Sequence, residues 1–326
     1  MQDALYGGAD GFYRTHRGAD HFRTSASAAP GVLARAVRTL ASRVDAALGH
    51  PSPFDVVDVG AGDGALLSAL ASQPDLPDRW SLTAVELGPR PVGVPDAVAW
   101  LGAVPPLSGL LLASEWLDVV PVEVLFDGRV VEVEPDGRER LGGPAGSAAL
   151  AWAARWWPAG RRVEVGLARD SVWADAVAQV RQGVAVAADY AHVLGVWRHD
   201  FGALERAAWG DRRPTLTGYR DGRQVPPLPD GSCDLTAHVA IDACREAGGG
   251  GRLLTQRVAL QALGVDATPP PRALADRDPH GYLAALRDAG AAGELLDPRG
   301  LGGFAWLVRC AGVADPFTGA SGSSPG

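Results

Sequence analysis

Apolar residues recur at helical spacing over 30–48, with Val32, Leu33, Ala36, Val37, Leu40, Val44 and Leu48 on one face, which predicts an amphipathic helix. A short apolar run follows, Phe54-Asp55-Val56-Val57-Asp58-Val59, and stops at Gly60. A run of that length closed by glycine reads as a buried parallel strand. A helix starts over 65–70, and 81–87 repeats the strand pattern with Glu86 near its end. Segments 97–101 and 110–113 supply a third and a fourth strand, the latter leading into Ser114-Glu115-Trp116-Leu117-Asp118. Strands alternating with helical segments predict a doubly wound α/β sheet.

Past Pro121 the rhythm changes. Segments 122–126 and 130–134 flank Asp127-Gly128, a hairpin signature. Strands are expected over 162–165 and 183–189, the latter ending at Asp189-Tyr190, with a helix over 171–180 between them. Segment 197–229 is rich in Arg, Gly and Pro and reads as an irregular insertion over the sheet's edge. Helical patterns cover 235–247, 253–263 and 280–289, with a late strand over 304–308 and a disordered tail over 315–326. The expected division is an N-terminal cover over 1–50, a Rossmann-like core over 51–194, an inserted acceptor-side segment over 195–250, completion of the core over 251–312, and a tail over 313–326.

Composition narrows the function. Of 326 residues, 47% are hydrophobic and 21% charged, a globular balance. The net charge of −8 disfavours nucleic acid or an anionic membrane surface as a partner. The sequence contains no Lys and no Asn, so all 30 basic residues are Arg. Schiff-base lysines and lysine-dependent phosphate loops are thereby excluded, as is the Asn-Pro-Pro-Tyr loop of some amino-group methyltransferases. Cys233, Cys244 and Cys310 are too few and too scattered for a disulfide framework or a zinc site. No apolar signal core opens the chain, and no run reaches the roughly 20 apolar residues a span requires. A cytoplasmic protein is expected; its oligomeric state is not legible.

The chemistry concentrates at Asp58-Val59-Gly60-Ala61-Gly62-Asp63-Gly64-Ala65, the first strand-to-helix turn. Glycines there admit a ligand to the backbone, and the following helix offers free N–H groups. Gly60, Gly62 and Ala65 also satisfy the dinucleotide template, with Glu86 where a ribose-binding acid belongs. Charge separates the two ligands. Asp58 and Asp63 repel a diphosphate and attract an ammonium or sulfonium, each contact worth about 1 to 4 kcal/mol at 4 Å. The loop therefore favours S-adenosylmethionine. Glu115 and Asp118 lie on the carboxyl edge, where open α/β sheets bind ligands, beside the flat wall of Trp116. A carboxylate pair can hold a guanidinium in plane and take up its proton. His238 is a candidate for lining the acceptor side or orienting Asp234. Arg212, Arg213, Arg220 and Arg223 could dock an acidic partner.

These segments together resemble the MidA family of S-adenosylmethionine-dependent methyltransferases, whose mitochondrial members assist assembly of respiratory complex I. The resemblance runs through Tyr6-Gly7, Gly11-Phe12-Tyr13-Arg14, His21-Phe22-Arg23-Thr24-Ser25, the glycine loop and Glu86. It continues through Ser114-Glu115-Trp116-Leu117-Asp118-Val119-Val120-Pro121-Val122, Asp189-Tyr190, Gly218-Tyr219-Arg220, Asp234-Leu235-Thr236-Ala237-His238-Val239 and Thr255-Gln256. The chain departs from the family pattern at Ser114, Ala191 and Arg257, and carries Asp58 where Glu is more usual. The resemblance implies a Rossmann-like class I methyltransferase sheet with added helices over the cofactor, and methyl transfer to a protein arginine. Asp58, Gly60, Gly62, Gly64 and Glu86 are then expected at the cofactor, with Phe22 and Thr24 closing over it. Glu115 and Asp118 are expected to orient the acceptor, supported by Asp189. A cofactor-binding assembly chaperone, a nicotinamide-dependent oxidoreductase and a small-molecule methyltransferase stay open as alternatives. No metal is expected.

Overall fold

The computed structural model describes residues 1–8, 11–16, 24–157, 161–193 and 215–318. The chain opens with short helices α1 (Gln2–Tyr6), α2 (Phe12–Thr15) and α3 (Ser25–Ala28), then the long α4 (Pro30–Ala47). Next come β1 (Phe54–Val59), α5 (Ala65–Ala71), β2 (Trp80–Val85), β3 (Val98–Leu101) and β4 (Leu107–Ser114). An excursion follows: β5 (Glu123–Phe126), β6 (Arg129–Val133), β7 (Glu139–Pro144), α6 (Ser147–Trp156), β8 (Arg162–Val165) and α7 (Leu167–Ala178). Then β9 (Val180–Asp189) precedes the short β10 (Ala191–His192), β11 (Thr217–Arg220), β12 (Arg223–Val225), β13 (Asp234–Thr236), β14 (Val239–Ala240) and α8 (Ile241–Ala247). The chain closes through β15 (Arg252–Thr255), α9 (Gln256–Ala262), α10 (Arg272–Arg277), α11 (Pro279–Leu296) and β16 (Ala305–Ala311).

Among the described residues, seven strands form the central sheet in the order β15-β16-β9-β4-β1-β2-β3. Its neighbours pair in parallel, except that β16 runs antiparallel to both β9 and β15. Alternate residues of β1 serve opposite faces, as strand geometry dictates. Val56 joins the layer of α4, α5, α9 and α11 through Leu33, Leu40, Leu70, Leu260 and Leu295. Val57 joins the layer of α7 and α8 through Trp173, Ile241 and Cys244. Each such fully buried side chain contributes about 1.5 to 3 kcal/mol. With both faces covered, the central strands read as near-continuous apolar runs. The strand order reverses between β1 and β4, which makes their carboxyl ends the crevice where this architecture binds ligands.

Four regions depart from the sequence expectations. Segment 235–247 is helical only from Ile241; Asp234–Thr236 and Val239–Ala240 are strands. Segment 253–263 is split by Thr255, whose hydroxyl accepts from the Val258 N–H and caps α9, so Arg252–Thr255 is a strand. The expected irregular insertion contains a hairpin, β11–β12, turned at Asp221-Gly222 with φ of 52° and 71°. That turn repeats the chemistry of Asp127-Gly128 at 48° and 76°, and its meaning was masked by the Arg- and Pro-rich surroundings. The tail is docked through Thr318. Phe317 is buried edge-on to Trp306, and Asp315 pairs with Arg252 at 3.0 Å. The remainder of that tail, and Arg212 and Arg213, lie outside the described residues.

Candidate active site

A cavity of about 520 Å³ opens over the ends of β1, β2 and β4. The loop after β1 is left-handed at Gly60, Gly62 and Gly64, with φ of 71°, 57° and 76°. A Cβ at Gly60 would lie 2.8 Å from the Trp116 ring, so only glycine fits there. Gly62 faces open space, leaving its backbone approachable from the cavity. Gly64 does not line the cavity; a Cβ there would press on Val94 and Trp100, so its role is packing α5 against the neighbouring loop. Glu86 ties this corner together. Its Oε2 accepts from the Gly62 N–H at 2.9 Å, and its Oε1 from the Leu87 and Gly88 N–H groups at 2.7 and 3.2 Å. Asp63 Oδ1 accepts from the Ala65 N–H at 3.0 Å, two residues on, which fixes its carboxyl within the loop. Asp58 is buried on the cavity wall, where burial, then the charges of Glu86 and Asp63, push its pKa up to about 7.

The corner after β4 is built differently. Glu115 sits at φ 52° and donates its N–H to Ala188 O at 2.8 Å. Its Oε1 accepts from the Ser25 N–H at 2.7 Å, while its Oε2 is buried and unpartnered among the described residues. Asp118 lines the cavity at 2% exposure, and its Oδ1 is likewise buried and unpartnered. Burial raises the Glu115 pKa to about 8, against the opposing hydrogen bond from Ser25. Burial, then the charges of Asp189 and Asp234, raise Asp118 as well. Asp189 lies behind this turn and does not line the cavity. Its Oδ2 accepts from the Leu117 and Asp118 N–H groups at 2.9 and 3.2 Å, its Oδ1 from Tyr190 N–H at 2.9 Å. It therefore holds the Glu115–Asp118 turn in shape.

Support arrives from distant segments that sequence reading did not connect to the site. Arg169 of α7 is buried and donates to four carbonyls, Val120, Ala237, His238 and Asp118, at 2.6 to 3.0 Å. The Thr255-Gln256 motif reaches the site through a relay: Trp306 Nε1 donates to Gln256 Oε1, and Gln256 Nε2 donates to Ser25 Oγ. Tyr6 and Tyr13 line the cavity, their rings stacked at 5.4 Å, with exposed Arg14 beside them. Tyr13 signals Asp234, which also lines the cavity, through a 2.9 Å hydrogen bond. Thr24 lines the cavity and caps α3; Phe22 lies outside the described residues. His238 packs 6.0 Å from the Tyr190 ring and does not line the cavity. Of the departures from the family pattern, Asp58 and Ser114 line the cavity. Ala191 is core, and Arg257 donates to Leu296 O.

Residues 33–256 match the model of the Methyltransf_28 family, described as "Putative S-adenosyl-L-methionine-dependent methyltransferase". The chain belongs to this family. Two solved structures from Burkholderia thailandensis are similar to this methyltransferase. One is a COG1565 superfamily member bound to S-adenosyl-homocysteine, at 24% identity and TM-score 0.73. The other is a native COG1565 superfamily protein, at 25% identity and TM-score 0.70. Both alignments cover 97% of this chain and 87% of the other. No curated protein sequence matches the chain.

The methyltransferase's cofactor is S-adenosylmethionine, and the corner after β1 fits it. Gly62 offers open backbone, and Asp58, Asp63 and Glu86 present negative charge to a cation where a diphosphate would be repelled. Family membership also removes the oxidoreductase alternative. Among the described residues, no cluster of side chains is arranged to hold a metal, and no helix is long and apolar enough to cross a membrane.

Proposed function

We propose that this methyltransferase modifies the guanidinium of a protein arginine. The observation that carries the reading is that Glu115 and Asp118 line the cavity while each keeps a buried carboxyl oxygen, Oε2 and Oδ1, without a partner among the described residues. A planar cation with several N–H donors satisfies such a pair better than a point charge does. S-adenosylmethionine supplies an electrophilic methyl on sulfonium, transferred in line to nitrogen. Asp58, Gly60, Gly62 and Glu86 would hold the cofactor, with Thr24 closing over it and Gly64 setting the loop. Glu115 and Asp118 orient the acceptor, and one of them takes the proton the nitrogen gives up. Asp189 and Arg169 act as positioning residues through the backbone of the turn. The three free cysteines, two of them buried, are in keeping with a reducing, cytoplasmic setting.

The test is mass spectrometry of lysate proteins after incubation with methyl-labelled S-adenosylmethionine, with and without the enzyme. The expected product is labelled methylarginine in a small set of proteins. Label confined to small molecules, or to lysine or histidine, sinks the arginine assignment.

A further inference from the structure

The cavity has a carboxylate that neither the glycine loop, nor the end of β2, nor the β4 corner supplies. Asp234, on β13 of the small three-stranded sheet, is 3% exposed and lines the cavity. Its Oδ1 accepts from the Tyr13 hydroxyl at 2.9 Å. Its neighbours Cys233 and Leu235 pack with Ala4, Leu5 and Phe12, so β13 and the first two helices form one packed unit. That unit is tied to the β4 corner twice. The Tyr6 hydroxyl donates to Val119 O at 3.2 Å, and the Ala237 N–H donates to Asp118 O at 3.1 Å. Asp118 lines the same cavity as Asp234 and the stacked Tyr6–Tyr13 rings, and keeps a buried Oδ1 without a partner among the described residues. Two carboxylates beside two aromatic faces match a delocalised cation, which takes hydrogen bonds at its edge and π contact on its face.

Resting on the arginine reading above, we propose that Asp234 and Tyr13 form the outer half of the acceptor's cation pocket, with Asp118 as the inner half. The Rossmann core holds the methyl donor, and the accessory sheet with the N-terminal helices selects the acceptor.

The experiment uses full-length enzyme saturated with S-adenosylhomocysteine, titrated calorimetrically with acetyl-Gly-Arg-Gly-amide and acetyl-Gly-Lys-Gly-amide. Asp234→Asn is expected to weaken arginine-peptide binding about tenfold or more, because a charge-assisted contact is lost, while S-adenosylhomocysteine affinity and the melting temperature stay near wild type. Should that variant fail to fold, Tyr13→Phe removes only the hydroxyl that fixes the carboxylate, and about threefold weaker peptide binding is expected. Arginine-peptide affinity unchanged in these variants overturns the pocket and leaves the arginine reading standing. A wild-type preference for the lysine peptide, lost in Asp234→Asn, keeps the pocket and overturns the arginine reading. Binding of neither peptide by the wild type overturns both.

Discussion

The two corners of the cavity, after β1 and after β4, are both acidic, yet they are built on opposite principles. At the first, the oxygens of Glu86 are engaged by the N–H groups of Gly62, Leu87 and Gly88, and Asp63 accepts from the Ala65 N–H two residues on. Every partner lies within a short stretch of chain. At the second, Glu115 and Asp118 each keep one buried oxygen without a partner among the described residues. They are held there by Ser25, Asp189 and Arg169, from three remote segments. An unsatisfied buried polar group costs about 1 to 3 kcal/mol. The first corner is a self-sufficient cradle. The second is a destabilised arrangement kept in place by its surroundings, the pattern expected where reaction chemistry occurs.

The largest effect should follow from breaking the first corner. Gly60→Val forces a β-branched residue to φ 71° and drives its Cβ into Trp116. Left-handed strain and overpacking together should cost about 2 to 5 kcal/mol. Urea melts should show that loss, and calorimetry should show S-adenosylhomocysteine binding weakened about a hundredfold. A variant that melts and binds like the wild type would mean the loop is not the rigid cradle described.

Breaking the second corner should separate stability from activity. Glu115→Gln should reduce methyl transfer about ten- to a hundredfold, because the amide can neither ionise beside an arriving guanidinium nor take up its proton, while sparing S-adenosylhomocysteine affinity. Its stability should move the other way. The folded wild type keeps a proton on Glu115 up to about pH 8, whereas an unperturbed glutamate releases it near 4.5. Between those values the folded state binds more protons than the unfolded, so wild-type stability falls as pH rises. Glutamine cannot ionise and escapes that fall. The stability difference in favour of the variant should therefore grow across the window and level off above it, as read from urea melts at its two ends. A difference that is flat with pH, or cofactor affinity lost with activity, contradicts the division between the corners.

The same contrast explains what the sequence could and could not reveal. The strand Phe54–Val59, its glycine stop and the acid ending β2 are contiguous patterns whose physics is local. Apolar runs covered on both faces have few alternatives to a parallel strand. The residues around Glu115 were legible as a motif, but not the groups that hold them. Nothing near Arg169 or Gln256 in the chain announces that the first donates to Asp118 O, 51 residues away, and the second to Ser25 Oγ, 231 residues away, because helix packing decides it. Asp189 was expected to support the acceptor acids from the neighbouring strand end and from the Asp189-Tyr190 match. Its three N–H donors show that its carboxyl faces backbone instead. The strand at Asp234–Thr236 was missed because it is only three residues long, and the two-residue strand Val239–Ala240 runs directly into the helix at Ile241.

The smallest expected effect sharpens the comparison most. Asp58 is half-protonated near pH 7, because burial and its acidic neighbours disfavour its charge. A cationic ligand beside it favours the ionised form, so its pKa must fall on binding and the proton must leave. Affinity for S-adenosylhomocysteine, which keeps the ammonium, should therefore rise with pH up to about 7 and flatten above it. Below that point, calorimetry in buffers of different ionisation enthalpy should register release of a fraction of a proton. Asp58→Asn should abolish both the slope and the release. Glu115→Gln should leave them intact, because its carboxyl belongs to the other corner. If Glu115→Gln removes the release instead, the cation of the cofactor is felt across the whole cavity, and the two corners act as one electrostatic unit.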